Sequence, residues 1–208
     1  MALIHRATLS PTKRELLATW LPGRAWHSGP TGEVSQVAAY RFDDPAGEVG
    51  IETLLVRIDD GPVFQVPLTY RGAPLAGADE WLVGTTRHSV LGERWVYDAT
   101  GDPVYAAALT SVVNGQAGQA EELVQLDDRL ERREPSMTVA AAATGGAALA
   151  AGVVERVVDG DPAIIVTDTV ELAVRRRLDT GADLTGALLT GTWPGQGTPV
   201  ALASVTPR

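Results

Sequence analysis

The clearest alternation of apolar and polar positions runs from Val63 to Arg71, where Phe64, Val66, Leu68 and Tyr70 are interleaved with Gln65, Pro67 and Thr69. A period of two predicts a β-strand with one buried face. Pro67 has no amide proton, so its side of the strand must face an edge or a bulge. Residues 34–42 and 49–58 read as strands of the same set, and Asp59-Asp60-Gly61-Pro62 predicts a tight antiparallel hairpin between the second and third. Residues 85–90 and 94–97 turn about Gly92 and complete a meander of about five antiparallel strands.

Helical signals flank this meander. Ser10-Pro11 ahead of Lys13–Leu21 predicts a short helix with Ser10 as N-cap and Pro11 in the first turn. Leu16, Leu17, Trp20 and Leu21 share one face of it, as expected for a helix packed on a sheet. A second short helix is expected around residues 79–83, and Asp102-Pro103 opens a third that ends at Asn114-Gly115. Residues 116–134 are rich in Gln, Asp, Glu and Arg, with Leu123, Leu126 and Leu130 spaced by three and four. That spacing predicts a solvated helix whose leucines pack down on the domain; the repeat is too short for a coiled coil. Beyond Pro135, apolar runs at 138–143, 153–158, 163–166, 170–178 and 200–205 predict a second, smaller sheet. The expected class is α+β, with units at 1–134 and 135–208.

Composition narrows the functional classes. With 26 acidic against 17 basic residues the formal charge is -9, which argues against nucleic acid or an anionic membrane as partner. Lys13 is the single lysine among the basic residues. The absence of cysteine excludes disulfides and thiolate chemistry. The N-terminus lacks the pattern of a secretion signal, and the uncharged run 137–154 is too weakly apolar for a bilayer, so the expected compartment is the cytoplasm.

Catalytic signatures are few. Asp59 and Asp60 read as turn residues rather than metal ligands. Ala143-Thr144-Gly145-Gly146 lacks the Lys-Ser/Thr of a P-loop, and Gly191 to Gly197 contains Pro194 where a phosphate cradle needs an amide; both read as turns. No Gly-x-Ser-x-Gly occurs, and Ser89 beside His88 is adjacency without geometry. A glycosidase-like pair of carboxylates is left open by the sequence. His27, in a Gly- and Pro-rich loop, is expected to be structural or exposed.

Trp20-Leu21-Pro22, then Gln65-Val66-Pro67-Leu68-Thr69-Tyr70-Arg71, then Trp95-Val96-Tyr97-Asp98-Ala99 with Asp102-Pro103, resemble the N-terminal cap of actinobacterial maltokinases over roughly residues 10–115. The resemblance implies a curved antiparallel sheet with flanking helices, likened to the cystatin fold. In those enzymes it sits on a kinase N-lobe and precedes a helical C-lobe, and the whole phosphorylates maltose with ATP in a trehalose-to-glucan pathway. Glu171 to Gly181 is similar to the N-lobe strand of the family. The resemblance implies that Ala173 stands where the kinases carry the lysine that meets the ATP phosphates. Arg175, Arg176 and Arg177 are expected as solvated groups at a strand end.

A kinase also needs a catalytic-loop aspartate and a metal-holding aspartate. His5, His27 and His88 are followed by Arg6-Ala7, Ser28-Gly29 and Ser89-Val90, none of which is such a motif, and the chain ends where the C-lobe would begin. The expectation is therefore a non-catalytic, cap-like regulatory or interaction module with no cofactor and no metal, linked to maltose, trehalose and α-glucan metabolism. Its expected partner is a protein, a kinase or another enzyme of glucan metabolism. The alternative is a sugar-binding module in which some of Trp20, Trp26, Trp81, Trp95 and Trp193 stack on sugar rings; an enzyme of unrelated chemistry comes third. Trp26, Tyr70, Arg71, Trp95 and Trp193 are the candidate ligand or interface residues.

Overall fold

The computed structural model describes residues 2–4, 7–27, 29, 31–126, 129–141, 149–179 and 183–208. His5, the turn expected at 143–146 and the Thr180-Gly181 end of the arginine motif lie outside them. In chain order the elements are β1 (Ala2–Ile4), β2 (Leu9–Ser10), α1 (Lys13–Trp20), β3 (Val34–Phe42), β4 (Gly50–Ile58), β5 (Val63–Arg71), β6 (Leu82–His88), β7 (Gly92–Asp98) and α2 (Pro103–Val113). There follow β8 (Glu122–Leu126), β9 (Arg129–Arg132), β10 (Thr138–Ala141), β11 (Val154–Val158), β12 (Ala163–Thr167), β13 (Val170–Val174), β14 (Ala187–Trp193) and β15 (Gln196–Pro207). The class is α+β: a curled, six-stranded antiparallel half-barrel with few helices, and a second, mostly β sheet.

The first sheet has the order β2-β6-β7-β5-β4-β3. The expected meander holds for β3, β4 and β5, but β6 lies one strand out and β7 inserts between it and β5. Where β7 pairs with β5 it covers only Leu68–Arg71. The rest of that edge is taken by the segment after β13. Gln65 N donates to Arg176 O at 2.7 Å, Leu178 N donates to Val63 O at 2.9 Å, and Phe64 pairs with Arg177. Backbone groups alternate sides along a strand, so Pro67 turns its amide side the same way as Val63 and Gln65. Its missing donor therefore falls at the handover between two partner segments.

Both faces of this sheet are covered. On one, Leu17, Trp20 and Leu21 of the α1 region pack with Trp26 against Leu54, Val56, Phe64, Val66 and Leu68. On the other, Tyr40, Phe42, Ile51 and Leu55 meet Tyr105, Leu109 and Val113 of α2 and, in the same cluster, Leu172, Val174, Leu189, Leu202 and Val205 of the second sheet. The one-faced reading of β5 is thus corrected: Gln65 and Thr69 on its polar side are both 0% exposed. They are admitted to the interior because each is hydrogen-bonded there.

Three element predictions also change. The N-cap of α1 is Thr12, not Ser10. The Thr12 hydroxyl accepts from Glu15 N at 3.3 Å and the Glu15 carboxylate accepts from Thr12 N at 2.7 Å, a reciprocal capping box that Ser10, paired with Arg87 in β2, is not placed to make. The short helix expected at 79–83 is one 3₁₀ turn, Asp79–Trp81, because Leu82 already belongs to β6. The helix expected at 116–134 is instead β8 and β9, which join β1 in a three-stranded sheet. Leucines three and four apart fit either element in so short a run, and pairing with β1 decides it. Leu130 is 55% exposed rather than packed down.

The second sheet has the order β10-β14-β15-β13-β12-β11. Its β14 is not among the strands expected from sequence, where Gly191 to Gly197 is expected to be a turn. Only Pro194-Gly195 turns, with Trp193 paired to Gln196. Gly191 is needed inside the strand because a Cβ there would lie 2.8 Å from both Leu202 Cδ1 and Met137 Cε.

Candidate functional site

Two polar centres are built on the half-barrel. The first begins with Glu52, placed by strand register opposite Arg41 of β3 and Leu68 of β5. Its residue is 5% exposed, so the carboxylate needs partners. Glu52 Oε1 accepts from Arg41 Nη2 at 2.6 Å, and Oε2 accepts from Lys13 Nζ at 2.5 Å and from Tyr70 Oη at 2.9 Å. Burial alone would raise the Glu52 pKa, but the charges of Arg41 and Lys13 and the hydrogen bonds from Lys13 and Tyr70 hold it at about 2. Burial, reinforced by the neighbouring Glu52 charge, pushes the Tyr70 phenol well above its ordinary value. Lys13 Nζ also sits 5.4 Å from the Tyr70 ring centroid.

Above this network lies a cleft of about 520 Å³ bounded by Lys13, Arg41, Tyr70, the 43–51 hairpin, Thr86, His88 and Arg94. Asp44 organises the hairpin by accepting from the backbone N–H groups of Ala46, Glu48 and Val49.

The second centre joins the two six-stranded sheets. Arg176 was expected to be solvated, yet it is 0% exposed, and Arg175 is 5% exposed. Arg176 Nη2 donates to Asp98 Oδ2 at 2.6 Å and to Thr100 Oγ1 at 3.0 Å. The guanidinium carbon lies 4.9 Å from the Trp26 ring centroid, and Trp26 Nε1 donates to Asp159 Oδ1 at 2.8 Å. The arginine runs inward because the chain after β13 pairs with β5 instead of leaving into solvent. Gln65 completes the joint: its Nε2 donates to the carbonyls of Arg175 and Leu202 at 2.9 and 3.0 Å, and its Oε1 accepts from Tyr40 Oη at 3.2 Å.

The residues singled out from sequence do not form one cluster. Tyr70 belongs to the first centre and Trp26, 6% exposed, to the second. Arg71 and Trp95 are cross-strand partners. Arg71 Nε and Nη2 grip Asp102 through two bonds of 2.7 Å, while Asp102 also accepts from Thr69 Oγ1 and from Val104 N at the start of α2. Trp95 packs beside Trp81 and Tyr97. Trp193 ends β14, half-buried against the large core. Ala173 lies in β13 between Ile164 and Ser204, on the face opposite Leu172 and Val174. Sequence reasoning missed Arg41, Glu52, Asp98 and Arg176 as centres. The available signal was a carboxylate inside an apolar strand, Glu52 in Gly50–Ile58, which requires a buried cation somewhere.

Asp59 has φ 47° and Gly61 N donates to Ile58 O at 2.9 Å, which is the turn expected there. Among the described residues no group of three or more His, Asp or Glu side chains is arranged to hold a metal ion, and no helix is long and apolar enough to cross a membrane.

The fold and these centres define an α+β scaffold whose half-barrel is joined to a second, mostly β sheet by buried polar contacts. Residues 20–102 match the family model of the maltokinase N-terminal cap domain. The matched span runs from the end of α1 through β7 to the N-cap of α2, and it supports the resemblance carried by the Gln65–Arg71 and Trp95–Ala99 motifs. Among curated proteins there is no match.

Proposed function

We propose that the chain is a non-catalytic interaction module related to the maltokinase cap, working in the cytoplasm with a protein partner of maltose, trehalose or α-glucan metabolism. We take 1–134 as its cap unit and 135–208 as a remnant of a kinase N-lobe. The observation that carries this reading is the state of the strand that resembles the phosphate-binding strand of the kinases. Ala173 offers only a methyl group, and the nearby Arg176 guanidinium faces inward onto Asp98 and Trp26. Phosphoryl transfer relies on a cation held at the nucleotide phosphates, and this strand supplies none in reach of solvent-borne ATP through those two residues. The sugar reading has less support, since Trp20, Trp26 and Trp81 are all no more than 9% exposed.

Two measurements test the proposal. Incubation with maltose and Mg-ATP should give no phosphosugar above a control without protein, and isothermal titration should show no micromolar ATP affinity; turnover or such affinity overturns the non-catalytic part. Affinity capture from the source cell should enrich a kinase, trehalose synthase, maltosyltransferase or glucan-branching enzyme. If none of these is enriched over an unrelated bait, the interaction part fails.

A further inference from the structure

We infer that the joint between the two six-stranded sheets is a binding site for buried water, held by the Arg176 guanidinium and the Tyr105 hydroxyl. Arg176 Nη2 is spent on Asp98 Oδ2 and Thr100 Oγ1. Its Nε and Nη1 are buried without a protein partner, as is Tyr105 Oη, and both residues are 0% exposed. Leaving such groups unmet is costly, most of all on a charged side chain, so buried polar atoms are satisfied by protein or by ordered water.

The two groups belong to one place. Arg176 is fixed on Asp98 and Thr100, which lead directly into the helix α2 that carries Tyr105. Burial pushes the Tyr105 phenol well above its ordinary value, and Tyr40, Arg176 and Asp98 are near enough to act on it electrostatically. Asp98 is already occupied, Oδ1 by Thr100 N and Thr100 Oγ1 and Oδ2 by Arg176. A bridging molecule is what can serve both the hydroxyl and the guanidinium.

Charge selects water over an ion. Asp98 lies 2.6 Å and Asp159 3.8 Å from Arg176 Nη2, and Arg24 shares Asp159 at 3.9 Å. With neighbouring Arg175 counted in, and with Asp161, which accepts from Arg176 N at 2.8 Å, Arg24, Arg175 and Arg176 stand against Asp98, Asp159 and Asp161. The balance leaves no net charge to call for an anion, and N–H donors repel a cation. A neutral molecule that accepts from the arginine and exchanges a hydrogen bond with the phenol fits, and a buried water makes about three such bonds.

The joint also has a way in. The Arg24 and Asp159 side chains are 26% and 27% exposed and form a wet rim. Beside it lie two further buried donors without a protein partner, Trp20 Nε1 and Arg24 Nε. The Arg24 guanidinium is 4.9 Å from the Trp20 ring, Trp20 is 5.9 Å from Trp26, and Trp26 is 4.9 Å from the Arg176 guanidinium. Unmet donors therefore gather around Trp26, from the rim inward.

A crystal structure of the full chain, at a resolution that orders buried solvent, is the direct test. Water should lie within about 3.2 Å of Arg176 Nε or Nη1 and of Tyr105 Oη, as one molecule or a hydrogen-bonded chain. In solution, the Arg176 Nε proton should show a nuclear Overhauser cross-peak to water. Tyr105→Phe should lose the water nearest the ring while Arg176 stays on Asp98. A joint without water, Arg176 Nε and Nη1 bonded directly to protein, an ion in place of water, or water that does not connect the arginine to the tyrosine would overturn the site. So would the absence of the cross-peak, which is read on the wild-type chain whether or not the variant folds. None of these outcomes depends on the interaction role.

Discussion

Asp98 and Arg176 meet at 2.6 Å with both side chains 0% exposed, the first at the end of β7 and the second beyond β13. A buried pair of this kind adds little over an apolar pair of the same shape, but breaking it strands a charge in the interior. Asp98→Ala should lower the unfolding free energy by about 3–5 kcal/mol. Asp98→Leu combined with Arg176→Met should cost clearly less than the sum of its single changes in a double-mutant cycle. Additive losses in urea denaturation would show that the two residues are not coupled.

Gln65 is the second link between the sheets. Gln65→Leu keeps the volume but leaves the carbonyls of Arg175 and Leu202 and the hydroxyl of Tyr40 without this partner. The Leu202 carbonyl keeps the backbone N–H of Arg175, so the expected loss is about 1–3 kcal/mol, the desolvation cost of the Arg175 carbonyl and the Tyr40 hydroxyl. A loss under 0.5 kcal/mol, the size of an ordinary surface substitution, would mean that those groups are satisfied some other way.

Glu52 makes stability depend on pH. Its folded-state pKa of about 2 lies below the ordinary 4.5, so its contribution is complete above pH 4.5 and disappears as pH falls through 2. The shift corresponds to about 3 kcal/mol. Chemical denaturation of wild type and Glu52→Gln should differ most near neutral pH, with the gap closing between pH 5 and 2. A gap of constant size across that range would refute the linkage.

Gly101 ends the 3₁₀ turn that leads from β7 to α2, and a Cβ there would lie 2.1 Å from Trp81 Cγ. Gly101→Ala should displace the indole and destabilise the chain by about 1–3 kcal/mol, as overpacking does. The near-ultraviolet circular dichroism of Trp81 is the readout. An unchanged spectrum with unchanged stability would show that the turn relaxes without moving the ring.

The strands at 34–42 and 63–71 and the Asp102 N-cap were legible because their signals are local: apolar runs, turn residues, a cap followed by proline. The polar centres were not. Gln65 reaches Leu202 across 137 positions and Asp98 reaches Arg176 across 78, so nothing beside either residue announces its partner. In the pattern of β5, Gln65 and Thr69 look like a solvent face, and only the arrival of the second sheet and of Asp102 turns them inward. Residues 116–134 misled for the opposite reason. Their leucine spacing is a local signal, but pairing with β1 overrides it. Of the candidate residues, Tyr70 and Arg71 came from the resemblance, while Lys13, Arg41 and Glu52 become a site only when three strands and a helix are assembled.

The divided edge of β5 has a consequence for how the protein is made. Synthesis proceeds from the N-terminus, so β5 leaves the ribosome with β4 and later β7 available, but with the backbone of Val63 and Gln65 still lacking the segment 176–178. Until that segment emerges, the nascent half-barrel carries an open stretch of strand and an uncovered apolar face, the features on which chains associate wrongly. The bonds from Arg176 and Leu178 are then among the last to close, and they act as a completion seal on a sheet whose other strands were translated much earlier.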